Sequence, residues 1–382
     1  MNYLNNILFI FDILKKCYLF IKVLKEKMSN NKLDKIFDEF LESNKNINQF
    51  SKLLAESPDG EIREVKYNNN KQYVAKLIRL NEKKYFYPEK LRGPNIIKII
   101  EVIDKEINGI NYQLIIMEKA YLRDLSLMSS HIHKFHFLKI INKPFVDFIG
   151  DNFMRFFIKQ VVHGMEILER NELVHFDLKP DNMLITRNLK LKISDFSFLI
   201  NLNEAKGEII IPERTEGYLS PEFYKVKDKD KIDAKTAKKQ DYFALGSSIF
   251  LLKTGEQMLK YPKSQDEKMM ESRIIDLLQR DIAHIRSYPL MDKGFADFLC
   301  SLIHYTPEER PNFEEIYRNK WLNENEKDIS LVANSFTDEE ENKLMIELLK
   351  SDFLIEKRKI VKVTKKKRYN FNFSINKINK NK

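Results

Sequence analysis

The sequence predicts an α+β fold with two lobes, a small antiparallel sheet followed by a larger, mainly helical part. Between about residue 49 and residue 118, short apolar runs alternate with turn residues, which is typical of antiparallel strands. From Asp151 onward the apolar residues recur at helical spacing instead. A ligand of such a molecule would bind in the crevice between the two lobes.

The first lobe contains four predicted strands. EVKY (64–67) and KQYVAKLI (71–78) are separated by three asparagines, and this strand–turn–strand pattern predicts a hairpin. IIKIIEVI (96–103) and YQLIIME (112–118) predict two further strands. Together the four runs predict a mainly antiparallel sheet.

The second lobe contains four predicted helices. In residues 151–168, large apolar side chains recur at every third or fourth position, as on one face of a helix. Further helices are predicted over residues 240–254, 267–286 and 294–304. The segment KVKDKDKIDAKTAKK (225–239) mixes Lys with Asp, which predicts a solvated loop.

The net charge of +10 comes from the C-terminal tail. Residues 357–382 contain eleven Lys or Arg and no Asp or Glu, and the rest of the chain carries 55 basic against 56 acidic residues. A balanced body argues against nucleic-acid binding, which needs a basic face on the folded part. The tail suits an import receptor, an acidic membrane or an acidic protein, or is a disordered solvated segment. A capped amphipathic pattern (335–359) predicts a helix before it.

Cysteine usage and the N-terminus indicate the compartment. Only Cys17 and Cys300 are present, which disfavours a disulfide framework and predicts an intracellular protein, cytoplasmic or nuclear. The apolar start (1–11) is too short for a transmembrane helix and lacks the preceding basic residues of a secretory signal, so we expect no transmembrane segment. Residues 1–27 have two interpretations, an amphipathic helix or translated sequence upstream of a start at Met28.

Five short motifs, in a fixed order, resemble those of the eukaryotic protein kinase family. They are VAK (74–76), HFDLKPDN (175–182), DFS (195–197), SPE (220–222) and DYFALG (241–246). The resemblance covers about residues 49–322 and implies the kinase fold, with an N-lobe over about 49–118 and a C-lobe over about 119–322. Residues 1–48 are then an N-terminal extension, and 323–382 form the C-terminal helix and basic tail.

The resemblance assigns phosphate transfer to a small set of residues. Asp177 matches the Asp that orients the substrate hydroxyl and accepts its proton, and Lys179 matches the Lys that contacts the transferring phosphate. Asn182 and Asp195 match the magnesium ligands, whose hard oxygen donors suit that ion. Thr215 fits the serine/threonine branch, in which this Thr hydrogen-bonds the catalytic Asp and Lys.

The resemblance also implies a site for ATP. Lys76 matches the strand lysine that pairs with the inner phosphates. The other matched positions surround the nucleotide: Gly60 in the glycine loop, Val65 and Ala75 above the adenine ring, Leu184 below it, Met117 at the back of the pocket, Glu118 and Ala120 in the hinge, and Asp124 near the ribose.

Two more matches imply structural roles. Glu222 matches the family's buried Glu, and Arg310 fits its ion-pair partner, which would tie the substrate-binding segment to the helical lobe. Asp241 matches the Asp that braces the catalytic loop from below.

The glycine loop departs from the family's pattern. Counted back from Val65, the three glycine places hold Pro58, Gly60 and Arg63. Glycine permits a close approach of the backbone to phosphate, so this register leaves only the middle place intact.

Three further departures bear on activity. The helix that offers a Glu to Lys76 is hard to locate, with Glu82 and Glu89 as candidates. Phe176 replaces the Arg that receives an activation-loop phosphate, which favours constitutive or partner-driven activity. Ser197 replaces a Gly, which restricts the backbone but removes no magnesium ligand.

The sequence therefore predicts an ATP- and magnesium-dependent serine/threonine protein kinase, whose partner is a protein substrate. The alternative is a pseudokinase that acts as a nucleotide-binding or scaffolding module. The retained Lys76, Asp177, Asn182 and Asp195 favour the enzyme, because they supply charge where the transition state needs it, whereas the glycine loop mainly affects positioning.

Overall fold

The computed structural model describes most of the chain from residue 33 onward. The described residues are 33–57, 60–68, 71–80, 91–120, 122, 124–129, 145–186, 189–204, 217–224, 233–258, 267–288, 291–324 and 355–359. They form a small sheet lobe (N-lobe) and a larger, mainly helical lobe (C-lobe), which confirms the predicted α+β architecture. No helix within these residues is long and apolar enough to cross a membrane.

Five antiparallel strands make up the N-lobe sheet. They are β1 (Ile47–Ser57), β2 (Gly60–Tyr67), β3 (Lys71–Arg79), β4 (Ile99–Ile107) and β5 (Ile110–Glu118). Their order across the sheet is β1-β2-β3-β5-β4. The four predicted strands correspond to β2 to β5. No single pattern marks β1, whose pairing with β2 contains three register shifts.

The strand connections follow the turn chemistry of the sequence. Asn68, the first of the three asparagines, takes a φ of 44° directly after β2. Asn108 and Gly109 join β4 to β5 with φ values of 53° and 73°. Positive φ at both central residues is the geometry of a two-residue hairpin turn, and Asn-Gly is the pair that favours it.

A helix over residues 33–43 (α1) covers one face of the sheet, here called the outer face. Phe37 is 1% exposed and packs with sheet residues in a common apolar cluster. Lys105 of β4 reaches the C-terminal half of α1 and donates to the carbonyl oxygen of Glu39 at 2.6 Å. Part of the predicted N-terminal extension (1–48) is thus built into the N-lobe.

The C-lobe consists mainly of helices around one apolar core. They are α2 (125–129), α3 (Asp151–Arg170), α4 (Pro221–Tyr224), α5 (Ala234–Thr254), α6 (Glu267–Ser287), α7 (Lys293–Leu302) and α8 (Phe313–Tyr317). The four predicted helices correspond to α3, α5, α6 and α7. Short strand pairs complete the lobe: β7 (Leu173–Val174) with β10 (Ile200–Asn201), and β8 (Met183–Ile185) with β9 (Leu191–Ile193).

One predicted loop begins a helix instead. Residues 234–239 belong to the first turns of α5, not to the predicted solvated loop (225–239). Asp233 caps this helix, because its Oδ1 accepts from the backbone N–H groups of Lys235 and Thr236, both at 3.0 Å. Ala237 is fully buried. A capping Asp followed by one buried small residue outweighs the charged appearance of the segment.

The predicted C-terminal helix is wrong at its end. Residues 355–359 form a strand, β11 (Ile355–Lys359), which pairs antiparallel with β6 (Phe145–Ile149). A partner strand more than 200 positions earlier supplies the backbone hydrogen bonds, and helical periodicity cannot reveal such a partner. The first part of the predicted helix (335–354) lies outside the described residues.

Candidate active site

A cleft between the sheet and the C-lobe has an empty volume of about 850 Å³, which includes space open to solvent. The predicted nucleotide and metal residues that line it are Lys76, Met117, Glu118, Ala120, Asp124, Asn182, Leu184 and Asp195. The lining also includes Leu54, Ala55, Ile62, Val74, Ile97, Ile99, Asp181, Ser194 and Phe196. The geometry therefore brings most of the predicted ligand-binding set into one cleft.

The roof of the cleft is made by Ile62 and Val74, and the predicted roof residues Val65 and Ala75 are wrong. Successive residues of a strand point to opposite faces of a sheet. Because Lys76 lines the cleft, Val74 does so as well, while Ala75 is buried on the outer face. Val65 lies in the same outer cluster, whereas Ile62 pairs directly with Lys76.

Ile62 also resets the register of the glycine loop. The family's pattern G-x-G-x-x-G-x-V, counted back from Ile62, places the glycines at positions 55, 57 and 60. These positions hold Ala55, Ser57 and Gly60, so the last glycine is kept and the first two are replaced by small residues. The register counted from Val65 is wrong by three positions.

Gly60 is required by the close approach of β2 to β3. A Cβ at this position would lie 1.8 Å from the carbonyl oxygen of Leu77. No side chain fits that gap without moving the strand. The glycine therefore maintains the hairpin end that lies above the cleft.

Arg63, predicted to occupy a glycine place, lies on the outer face and takes no part in the cleft. Its guanidinium contacts Asp34 of α1 at 2.6 Å and Glu61 at 2.6 Å, and it lies 4.4 Å from the ring centre of Phe37. Burial raises the pKa of Glu61, against the opposing effect of Arg63. This network fastens α1 to the hairpin strand β2.

The hinge between the lobes is held by polar contacts on both sides. Glu118 Oε1 accepts from the backbone N–H of Lys98 and pairs with Lys192 Nζ of β9, both at 2.7 Å. Asp124 Oδ1 accepts from the N–H of Leu127 at 2.7 Å and so caps α2. These contacts fix the chain direction through the predicted adenine-binding segment.

The catalytic loop holds Asp177 in one orientation. Asn182 Nδ2 donates to Asp177 Oδ2 at 3.0 Å and to its carbonyl oxygen at 2.7 Å. Lys179 Nζ lies 2.8 Å from the same Oδ2. Asp177 and Asn182 are 6% and 5% exposed. A carboxylate, a cation and an amide are therefore fixed together beside the cleft.

Asp241 braces this loop from the C-lobe interior, as predicted. Its carboxylate accepts from the backbone N–H groups of His175 (2.7 Å) and Phe176 (2.9 Å). His175 Nε2 donates to the carbonyl oxygen of Ser194 at 2.8 Å. The other ring nitrogen, Nδ1, accepts from the backbone N–H of Asp177 at 3.3 Å. Burial raises the pKa of Asp241, which its two backbone donors and His175 oppose.

Phe176, the residue in place of the usual Arg, packs in a small apolar cluster. Its φ is 65°, and its ring meets Phe223 edge-on at 4.9 Å between centres. The cluster also contains Val174, Leu202, Leu219 and Ala237. Apolar packing thus joins the catalytic loop to the segment after DFS and to the SPE helix. With Phe in place of the usual Arg, position 176 contributes this packing instead of an ion pair with an activation-loop phosphate.

Asp195 follows β9 in the C-lobe, and its side chain is held by Lys76 and Ser197. Lys76 Nζ and Ser197 Oγ each lie 2.6 Å from Asp195 Oδ1. The backbone of Asp195 is left-handed, with a φ of 60°. Burial alone would raise the pKa of Asp195, but the charge and hydrogen bond of Lys76, with the Ser197 hydroxyl, lower it to about 2. The carboxylate is therefore ionised at neutral pH.

Asn182 and Asp195 offer donors that fit a magnesium ion. The Asn182 amide nitrogen is engaged by Asp177, which leaves the amide oxygen as the group available to a cation. Ser194, next to Asp195, donates both its N–H (2.9 Å) and its hydroxyl (3.1 Å) to the Asn182 carbonyl oxygen. An ionised carboxylate and an amide oxygen, tied together through the backbone, are the hard ligands that Mg²⁺ prefers.

The predicted ion pair of Glu222 with Arg310 is present and bidentate. Both N···O distances are 2.7 Å, and Arg310 is 1% exposed. Ser220 also donates to Glu222 Oε1 at 2.6 Å. The pair fixes the short helix α4 to the segment before α8, because separating either charge from its partner would leave it buried alone.

Several predicted positions lie outside the described residues. They are Pro58, Glu82, Glu89 and Thr215. Their predicted roles stay predictions.

Sequence reasoning missed Leu54, Ile62 and Val74 as cleft residues. A signal was available, since residues two positions apart on a strand point to the same face of the sheet. This spacing selects Val74, two positions before Lys76, rather than Ala75. The pairing of β2 with β3 then selects Ile62, but pairing register is not visible in a single strand's sequence.

A family model described as the protein kinase domain matches residues 54–322 of the chain. The match covers more than half of the chain and spans the cleft, the catalytic loop and the Glu222–Arg310 pair. The chain therefore belongs to the protein kinase family, as its motifs indicated.

Curated relatives carry kinase names at low identity. A hormonally up-regulated neu tumor-associated kinase homolog from Xenopus tropicalis is 24% identical over 66% of this chain and 32% of its own length. An aurora kinase from Saccharomyces cerevisiae is 25% identical, over 54% and 49%. The probable serine/threonine-protein kinase ireA from Dictyostelium discoideum is 26% identical, over 48% and 17%. The chain spans less than half the length of each.

Proposed function

We propose that this chain is an active protein kinase that transfers the γ-phosphate of ATP to Ser or Thr hydroxyls of a protein substrate. The observation that carries the proposal is that two polar clusters meet at one cleft. Lys76 and Asp195 form the first cluster, with their charged atoms 2.6 Å apart, and Asp177, Lys179 and Asn182 form the second, with contacts within 3.0 Å. Asn182 of the second cluster lines the cleft together with Lys76 and Asp195. Phosphate transfer depends mainly on such positioning and charge.

Asp177 is the group that receives the proton of the substrate hydroxyl. Its Oδ2 is anchored by Asn182 and Lys179, which sets the orientation of the carboxylate before substrate arrives. Asp241 holds the backbone of the same loop from below. A base fixed by its neighbours loses little entropy in reaching the reactive geometry.

Lys76 and Lys179 bind phosphate oxygens from opposite sides of the cleft. Lys76 shares its ammonium with Asp195 and so stays within the cleft wall, and Lys179 stays beside Asp177. Asn182 and Asp195 are the residues that would hold magnesium, which when bound neutralises charge on the phosphates. Leu54, Ile62 and Val74 exclude water above the adenine.

Three features support the serine/threonine branch. Lys179 lies two positions after Asp177 and contacts it, as in that branch of the family. Thr215 stands at the position where that branch has its Thr. The name of the ireA relative, a probable serine/threonine-protein kinase, agrees with this branch.

The pseudokinase alternative is weakened by the revised glycine register. In that register Gly60 keeps the last glycine place, and Ala55 and Ser57 occupy the others with small residues. In the first register the bulky Arg63 took a glycine place and argued against activity. In the structure it lies on the outer face, where it forms ion pairs with Asp34 and Glu61. What remains for the alternative is the absence of the first two glycines.

The test compares wild type with Asp177→Ala and Asp195→Ala on a generic protein substrate with Mg-ATP. We expect phosphate on Ser or Thr from wild type only. Equal, background-level transfer by all three proteins would overturn the proposal, and a magnesium-dependent thermal shift with ATP would then support the binding module. Phosphate found only on Tyr would contradict the serine/threonine assignment.

A further inference from the structure

Ser197, the residue that replaces the family's glycine, contacts both members of the Lys76–Asp195 ion pair. Its hydroxyl donates to Asp195 Oδ1 at 2.6 Å. Ser197 Oγ also accepts from Lys76 Nζ at 3.3 Å. Lys76 and Asp195 are themselves 2.6 Å apart, so the three side chains form a closed triangle.

Both contacts to Asp195 use the same carboxylate oxygen. Lys76 and Ser197 bond Oδ1, and Oδ2 accepts no hydrogen bond from the described part of the chain. Two donors on one oxygen fix the rotation of the carboxylate about its last bond. The other oxygen is then held in a set direction on the cleft wall, which the Asp195 carboxylate lines.

The backbone at this point needs such a restraint. Asp195 is in the left-handed region, and it precedes a single turn of 3-10 helix (Phe196–Phe198). A residue other than Gly is uncommon in this region, and Asp adopts it more readily when its side chain forms local hydrogen bonds. A glycine at position 197 offers no hydroxyl for this purpose.

We propose that Ser197 is a positioning residue that orients Asp195 as a ligand for magnesium bound with the nucleotide. The inference rests on the proposed function only in that the cleft binds a magnesium–nucleotide complex. Groups that orient a metal ligand typically change metal affinity about 10- to 100-fold when they are removed. Where the family's glycine leaves the backbone free, Ser197 restricts the backbone and orients the Asp195 carboxylate through its hydroxyl.

The experiment measures the affinity of the purified full chain for ADP in excess MgCl₂ and, separately, in EDTA. The variants are Ser197→Ala, Ser197→Gly and Ser197→Thr. Ala removes the hydroxyl while keeping a Cβ, Gly removes both, and Thr keeps the hydroxyl. Ser301→Ala in α7 is the matched control, because its hydroxyl donates to the carbonyl oxygen of Phe298 in the same helix and Ser301 is not among the described residues that line the cleft.

We expect Ser197→Ala and Ser197→Gly to weaken ADP binding about tenfold in magnesium. Binding in EDTA should be unchanged, and Ser197→Thr and Ser301→Ala should match wild type. A merely structural role would weaken binding equally with and without magnesium, which would overturn the proposal. Wild-type affinity in Ser197→Ala, or a loss in Ser197→Thr equal to that in Ser197→Ala, would overturn it as well.

Failure of the proposed function gives a different result. A protein that binds ADP more tightly with magnesium but transfers no phosphate contradicts the kinase activity, and the Ser197 comparison still decides the inference. A wild-type protein whose ADP affinity is unaffected by magnesium overturns the role of Ser197 directly.

Discussion

The two walls of the cleft are stabilised in different ways. On the C-lobe wall, eight consecutive residues (175–182) are held by short polar contacts, among them two backbone N–H bonds to Asp241 and the His175 bond to Ser194. On the N-lobe wall, the β1–β2 hairpin is supported from behind by α1. Its support is a buried Phe37 and the Arg63 network, and neither touches the cleft.

This difference follows from what each wall has to do. In the proposed function, the C-lobe wall has to hold a base and a cation in a fixed geometry, which short hydrogen bonds achieve. In the same proposal, the N-lobe wall covers the phosphates with backbone, so it needs a sheet of the right shape more than any one side chain. Apolar packing over a large area supplies that shape.

The largest expected effect is on the N-lobe wall. Phe37→Ala should destabilise the protein by about 3–5 kcal/mol, because it removes a buried ring and leaves a cavity under Arg63. Thermal and denaturant unfolding measure the loss. Leu53→Ala, at a side chain 36% exposed on β1, is the matched control and should change stability little. Equal stability of both variants would show that α1 is not part of the folded N-lobe.

The next largest effect is on the C-lobe wall. Asp241→Ala should lower phosphate transfer at least about a hundredfold, because the N–H groups of His175 and Phe176 lose their acceptor and the loop shifts. Steady-state kinetics with Mg-ATP test this expectation. Asp276→Ala, on the exposed face of α6, is the control. Near-normal phosphate transfer by Asp241→Ala would mean that the catalytic loop keeps its conformation without the hydrogen bonds to Asp241.

A smaller effect is expected on the stability of the outer face of the N-lobe sheet at high pH. Burial, together with Glu101, raises the pKa of the Tyr67 phenol to about 12, and its hydroxyl also meets Asn46. A phenol with a raised pKa stabilises the fold fully below pH 10, its unshifted value, and loses that contribution as the pH rises towards 12.

The measurement compares the unfolding free energy of wild type with that of Tyr67→Phe between neutral pH and pH 12. We expect the advantage of wild type to shrink above pH 10 and to be constant below it. A difference that does not change with pH would contradict the buried hydrogen-bonded phenol.

The catalytic loop was predictable from sequence because its contacts are local or involve single motif residues. Asp177, Lys179 and Asn182 lie within six positions, and their mutual contacts follow from that spacing. Asp241 and Arg310 are distant along the chain, but each contacts a motif: Asp241 of DYFALG bonds the loop HFDLKPDN, and Arg310 pairs with Glu222 of SPE. Strand and helix positions were predicted by periodicity for the same reason of locality.

The N-lobe wall was not predictable in the same way. Which residues face the cleft depends on the register between β2 and β3, and an offset of one or three positions exchanges the two faces. That offset produced the wrong assignment of Val65, Ala75 and Arg63. The packing of α1 on the sheet and the pairing of β11 with β6 are long-range contacts that no local pattern contains.

The most direct test of the central claim uses the isosteric substitution Asp177→Asn. Phosphate transfer and Mg-ADP affinity are measured on the same preparations of wild type and variant. Loss of the base should lower transfer about 100- to 10,000-fold, while nucleotide affinity stays unchanged because Asp177 does not line the nucleotide cleft. Transfer at the wild-type rate by Asp177→Asn would contradict the account.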